Sequence, residues 1–294
     1  MIAERHDRSP SRTERFRHLH ESGCFVIPNP WDVGSARVLV GLGFQALATT
    51  SSGAAWSAGR ADHHVTLEDA LAHFRTIAAA VDVPVNGDFE GAFAVEPDDV
   101  AANVRAAALT GLAGVSVEDS TDDAAKPLFD FSLAVERIRA ARRAIDEAGT
   151  GVLLTGRSEG FIAGRPDLAE TIRRLTAYAE AGADCLYAPG LKSLDDIAAV
   201  VKAVSPKPVN VLVAADFTTV EQLAAIGVRR ISVGGALALA AWTGFVRAAQ
   251  ALKSDGSFAG FAGLAPYADI NGFLAVDLRA RQAREQILSG ASRP

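Results

Sequence analysis

Short apolar, β-branched runs alternate along the chain with longer stretches in which apolar residues recur at helical spacing, and the alternation repeats eight times. The runs predict strands over 24–28, 46–50, 84–88, 113–118, 151–155, 185–188, 208–213 and 230–233. The other stretches, rich in Ala, Leu, Arg and Glu, predict helices over 32–42, 67–81, 97–109, 131–148, 166–181, 194–204, 219–226 and 236–252. The punctuation agrees. Asp32 and Ser193 stand where an N-cap accepts the first free amides. Pro97 and Pro166 suit a first helical position, where a missing N–H is harmless. Gly43, Gly111, Gly149, Gly182 and Gly227 follow the predicted helix ends.

Strands that are apolar throughout and alternate with helices belong to a parallel sheet covered on both faces. Eight such units predict closure of this α/β chain into a (β/α)8 TIM barrel, a single domain over 1–294. An open doubly wound sheet is the weaker alternative, because no Gly-x-Gly-x-x-Gly turn follows the first strand. Residues 1–20 read as a flexible, Arg-rich lead-in, and 255–294 as a linker with a final helix over about 270–288. Coming after the eighth unit, that helix has no place in the barrel wall and is expected to pack on a partner subunit.

Composition narrows the picture. The 294 residues are 49% hydrophobic, too apolar for a disordered chain. A net charge of −6 gives no reason to expect a nucleic-acid partner. Cys24 and Cys185 both fall in apolar runs, which predicts buried thiols and no disulfide framework. Neither a leader-like start nor a membrane-length apolar stretch is evident, so a cytoplasmic protein with no membrane partner is expected.

In such a barrel the chemistry gathers at the C-terminal ends of the strands. Asp88 and Glu90 stand at the third strand end and Glu118 at the fourth. In an extended chain, i and i+2 side chains point the same way, which would aim Asp88 and Glu90 together at the barrel mouth with Glu118 beside them. Converging carboxylates repel unless a cation sits among them, and all-oxygen ligands suit Mg2+ or Mn2+. The alternative is a set of ordinary strand-end acids, solvated or paired to arginine. Arg157 is read as the only basic residue at a strand end beside these acids, fit to bind a carboxylate and steady an oxyanion, or else to form a salt bridge with Glu159 or Glu118. Ser51-Ser52-Gly53 reads as a small-residue loop that could cradle a carboxylate or phosphonate, or as a plain turn. Val233-Gly234-Gly235 could grip phosphate, although close strand–helix packing is the preferred reading. The histidines are poor candidates: His63 and His64 are adjacent and so face different ways, and no His-x-x-x-His pattern occurs. No Gly-x-Ser-x-Gly elbow points to a serine hydrolase.

Taken in order, several segments resemble the isocitrate lyase/phosphoenolpyruvate mutase superfamily from about Phe25 to Leu274. They are Asn29-Pro30-Trp31-Asp32, Thr50-Ser51-Ser52-Gly53, Asp88-Phe89-Glu90-Gly91, Val117-Glu118-Asp119, Gly156-Arg157-Ser158-Glu159, Pro208-Val209-Asn210 and Ile231-Ser232-Val233-Gly234. The resemblance implies Mg2+ held around Asp88, with Glu90, Glu118 and Asp62 contacting its waters. It implies substrate binding by Ser51, Ser52, Gly53, Arg157 and Asn210, an eighth helix swapped between subunits, and a homo-oligomer, dimer or tetramer. The chain departs from the lyases at 119–130, where no Lys-x-Cys-Gly-His segment and hence no cysteine proton donor is present. Of the mutases' gating loop only Lys126 is a candidate, and 52–62 is slightly shortened.

The expected function is therefore a Mg2+-dependent lyase or decarboxylase that cleaves a C–C bond next to a small 2-oxo or 2-hydroxy acid, by preference a dicarboxylate. Asp88, Glu118 and Arg157 would stabilise the enolate charge. One alternative is a mutase or hydrolase acting on P–C bonds. Another is a barrel that binds 2-oxo acids without turnover.

Overall fold

Eight parallel strands form one sheet in the order β1-β8-β7-β6-β5-β4-β3-β2. They are β1 (Phe25–Ile27), β2 (Leu47–Ala48), β3 (Val85–Asp88), β4 (Gly114–Glu118), β5 (Leu153–Arg157), β6 (Cys185–Tyr187), β7 (Val209–Leu212) and β8 (Arg230–Ser232). This computed structural model describes residues 10–121 and 123–288. At the seam between β1 and β2, the Ala48 amide donates to the Pro28 carbonyl at 3.1 Å and draws the sheet into a nearly closed barrel. The chain is a (β/α)8 TIM barrel with an additional C-terminal helix, and all eight predicted strands are found.

The barrel is surrounded by α1 (Arg12–Glu21), α2 (Val33–Gly41), α3 (Ser51–Ser57), α4 (Leu67–Ala80), α5 (Pro97–Ala108), α6 (Phe131–Ala148), α7 (Leu168–Glu180), α8 (Leu194–Val204), α9 (Val220–Ala225), α10 (Ala236–Asp255) and α11 (Tyr267–Leu288). Strand alternation divides the core. Leu47, Val115, Leu154 and Ile231 pack outward with Phe74, Ile77 and Leu175 of the helices. Ala48, Leu153 and Ile27 form a second cluster around Phe16 of α1. At Gly182, which leaves α7 with φ 106°, a β-carbon would collide with Arg142, so both the backbone and the space require glycine.

Three differences from the sequence reading matter for the site. Residues 12–21, expected to be flexible, form a helix with a Ser11–Glu14 capping box, and its Phe16 is fully buried; residues 1–9 lie outside the described residues. The signal is faint because only Phe16 and Leu19 mark an apolar face among arginines and histidines. The loop expected at 51–53 is the first turn of α3, whose N-cap Thr50 accepts the Gly53 amide. The fifth strand starts at Leu153 instead of 151 and runs on to Arg157, so Arg157 is a strand residue paired in register with Glu118.

The C-terminal helices also differ from expectation. Only Ala238 is buried along α10, the helix of the eighth unit. The additional helix, α11, lies against α2 of its own chain: the Phe273 ring occupies the space a side chain at Gly41 would need, and Asp277 pairs with Arg37 at 3.6 Å. No helix of the described residues is long and apolar enough to cross a membrane.

Candidate active site

A cavity of about 190 Å³ opens at the C-terminal ends of the strands. Asp88, Glu118, Arg157, Asn210, Ser51, Ser52 and Asp62 all line it. Asp88 is fixed from two sides. Its backbone amide donates to Thr49 Oγ1 at 2.9 Å, and its Oδ2 accepts from both the amide and the hydroxyl of Ser51, each at 3.0 Å. The amide and hydroxyl of Ser51, expected to cradle a ligand, are thus turned onto a protein carboxylate. Ser52 Oγ is 3.0 Å from Thr50 Oγ1. Gly53 packs under Trp31 and Thr50, where a β-carbon would clash, and it does not line the cavity.

Arg157 is the hub. Its Nη1 lies 3.2 Å from Asp88 Oδ1 and 3.1 Å from Glu118 Oε2, while Nε and Nη2 grip Glu159. Its guanidinium also stands over the Tyr187 ring, 5.1 Å from the centroid. The salt-bridge reading of Arg157 is realised with Asp88 as well as with Glu118 and Glu159. Burial pushes the Glu118 carboxyl above its ordinary range, and the Arg157 charge pulls the other way. Glu159 is raised for the same first reason, with the same opposing pull. Asp119 secures the β5 exit. It accepts the Glu159 amide at 2.8 Å on Oδ1, and Arg174 at 3.0 Å with the Tyr178 hydroxyl on Oδ2.

Glu90 does not sit as predicted. β3 ends at Asp88, and Glu90 is left-handed at φ 48°, followed by left-handed Ala92 and Phe93. The alternation that was to pair Asp88 with Glu90 therefore does not apply. The Arg137 guanidinium shapes this turn by donating to the carbonyls of Gly91, Ala94 and Val95 while stacking on Phe129. Glu90 Oε1 is buried without a hydrogen-bond partner. Its Oε2 lies 3.7 Å from His63 Nδ1, and contact with this carboxylate is the main cause that raises His63 to about 9. His63, passed over with the other histidines, lines the cavity and stands near Asp62 and Glu90. Its own backbone is left-handed (φ 59°), so strand or helix geometry gives no guide to where it points.

On the other side of the barrel, Asn210 Nδ2 donates to Ser232 Oγ at 2.9 Å and its Oδ1 accepts from Arg230 Nε at 2.9 Å. Arg230 also lines the cavity; it opens β8 instead of ending a strand, so a reading of the strand ends does not reach it. The amides of Val233 and Gly234 both donate to Asn29 Oδ1 at 2.9 Å, which supports close packing over a phosphate grip. Lys126 is exposed and pairs with Asp130 at 3.0 Å, away from these groups.

Among the described residues no three His, Cys, Asp or Glu groups converge as direct ligands. A divalent ion here would therefore rest on one or two carboxylates and on waters, as Mg2+ can. The partnerless Glu90 oxygen, together with Asp88 and Glu118 sharing one guanidinium, leaves carboxylate capacity that such an ion and its waters would satisfy.

The phosphoenolpyruvate phosphomutase family model matches residues 16–253. A protein of Burkholderia cenocepacia J2315, whose own assignment as a lyase/mutase is provisional, is 45% identical over 90% of this chain and 96% of that one, with TM-score 0.87. An oxaloacetate acetylhydrolase solved with its product oxalate is 25% identical over 96% and 98% of the two chains, with TM-score 0.81. A phosphonopyruvate hydrolase solved with oxalate and Mg2+ shares the fold at 24% identity, covering 95% and 100%, with TM-score 0.81.

Proposed function

The chain belongs to the phosphoenolpyruvate phosphomutase family, and from that premise we propose that it is a Mg2+-dependent enzyme that breaks a C–C bond next to a small 2-oxo or 2-hydroxy acid by way of an enolate. The observation that carries this reading is the cluster of Asp88, Glu118 and Arg157 at three neighbouring strand ends, opening on one cavity. Asp88 would hold the ion, and Glu90, Glu118 and Asp62 its waters. When bound, Mg2+ supplies a fixed positive charge to an oxygen that becomes anionic. Arg157 binds the acid end of the ligand and meets the same growing charge, already oriented by Glu159 and Tyr187. Ser51 keeps Asp88 from rotating, and Asn210 presents an amide to the ligand from across the barrel. The oxaloacetate acetylhydrolase solved with its product oxalate supports this reading, since its named substrate is a small 2-oxo dicarboxylate.

The test is turnover of oxaloacetate and malate-type acids against phosphonopyruvate, each with MgCl2 and with EDTA. Metal-dependent C–C cleavage is expected, with D88A lowering kcat/KM by more than about 100-fold. Consumption of phosphonopyruvate alone would replace this reading with P–C chemistry. Undiminished turnover by D88A in Mg2+ would refute the metal role. Thermal stabilisation by these acids without turnover would leave a binding protein.

A further inference from the structure

Arg230, the first residue of β8, is only 3% exposed yet lines the cavity. Its neighbours carry no negative charge. Nε donates to Asn210 Oδ1 at 2.9 Å, Nη2 donates to Thr155 Oγ1 at 3.1 Å, and Nη1 lies 3.3 Å from His20 Nε2. Among the described residues it forms no ion pair, whereas Arg157 meets three carboxylates and Arg174 two. Arg137, also buried without an acid, is surrounded by carbonyls and a ring and borders no cavity named above.

A buried cation with no counter-charge is costly, and a protein keeps one where something else provides the balance. A guanidinium has five N–H donors, and the three contacts leave some for a ligand. Its hold on Asn210 Oδ1 also turns the Asn210 amide nitrogen towards Ser232, at the cavity wall. We propose that Arg230 is the counter-charge for a second anionic group of the ligand, so that the cavity selects a dicarboxylate over the matching monocarboxylate. This inference rests on the proposed seating of a 2-oxo or 2-hydroxy acid in the same cavity.

The experiment is calorimetric titration of the full chain, with MgCl2 and again with EDTA, using two pairs that differ by one carboxylate: oxaloacetate against pyruvate, and malate against lactate. The native protein is expected to bind each dianion at least tenfold tighter than its partner. R230Q is expected to lose at least tenfold for the dianions and less than twofold for the monoanions, and R230K to keep most of the preference. The ligand-free R230Q protein should melt no lower than the native one, a result that a merely structural arginine would not give. Equal native affinity for both members of each pair overturns this inference alone, with no variant needed. Undiminished dianion preference in R230Q also overturns it. Binding of neither member sinks the 2-oxo acid reading together with this one.

Discussion

Asn29 shows how one side chain can tie several strand ends together. It is 5% exposed and joins three strand ends: Nδ2 donates to the Thr49 carbonyl at 3.0 Å, and Oδ1 accepts the Val233 and Gly234 amides at 2.9 Å. Thr49 in turn receives the Asp88 amide, so Asn29 and Asp88 share one frame. Asn29→Ala leaves two amides and a carbonyl unpaired beside the β1–β2 seam. At about 1–3 kcal/mol for each unsatisfied group, partly relieved by water, a loss of about 3 kcal/mol is expected in urea unfolding. A loss under about 0.5 kcal/mol would show that the seam does not depend on it. At this scale the sequence was informative wherever a residue ends a regular strand. Asp88, Glu118 and Arg157 are found together because β3, β4 and β5 place them there. Glu90 and His63 were not legible in the same way, since both are left-handed, and the turn at Glu90 is held by the distant Arg137.

Among elements, α1 was the least legible and has the clearest consequence. Phe16 enters the barrel cluster, and one turn later His20 stacks on Phe16 and Phe25, with Nδ1 2.7 Å from the Phe16 carbonyl and Nε2 towards Arg230. Burial first, then the Arg230 charge, lowers His20 to about 3, with Arg17 adding a smaller effect in the same direction. The folded value is thus below the ordinary one of about 6.5, and between the two the unfolded chain binds the extra proton. Stability is therefore complete above about pH 6.5 and falls as pH drops towards 3, by an amount of order a few kcal/mol. Melting temperature should decline between pH 6.5 and 5 in the native protein more steeply than in His20→Gln. The raised Glu118 and Glu159 titrate in both proteins, so the difference isolates His20. Parallel declines would mean that His20 takes up its proton in place. The helices α4 to α8 were legible because each buries an apolar face. The first and third escaped because one is mostly charged and the other is built of small residues that also suit a turn.

For the molecule as a whole, what remains is the apolar surface at its C-terminal end. Leu239, Trp242, Phe245 and Val246 are exposed on α10, Phe258 (71%) and Phe261 on the following turn, and Tyr267 (81%), Ile270 and Val276 on α11. Lone exposed apolar residues are unremarkable, but this many on two successive helices, with Trp242 against Phe245 and Phe258 against Phe261, suit a surface that is covered. The barrel interior does not need these residues, since its core is complete without them. A second copy of the chain offers the same row, and closed symmetry allows one patch to cover its twin. Exchange of α10 between subunits would account for a helix that buries only Ala238 at home. Light scattering coupled to size exclusion should therefore give two or four times the 30.7 kDa chain mass. Trp242→Glu with Phe245→Glu should shift the protein towards the single-chain mass and lower its melting temperature, because charges then sit in a dry contact. A native protein that elutes as one chain at micromolar concentration would mean that this surface is covered by a different partner. The expectation of a helix exchanged between subunits would then fail, while the barrel and its site stand unchanged.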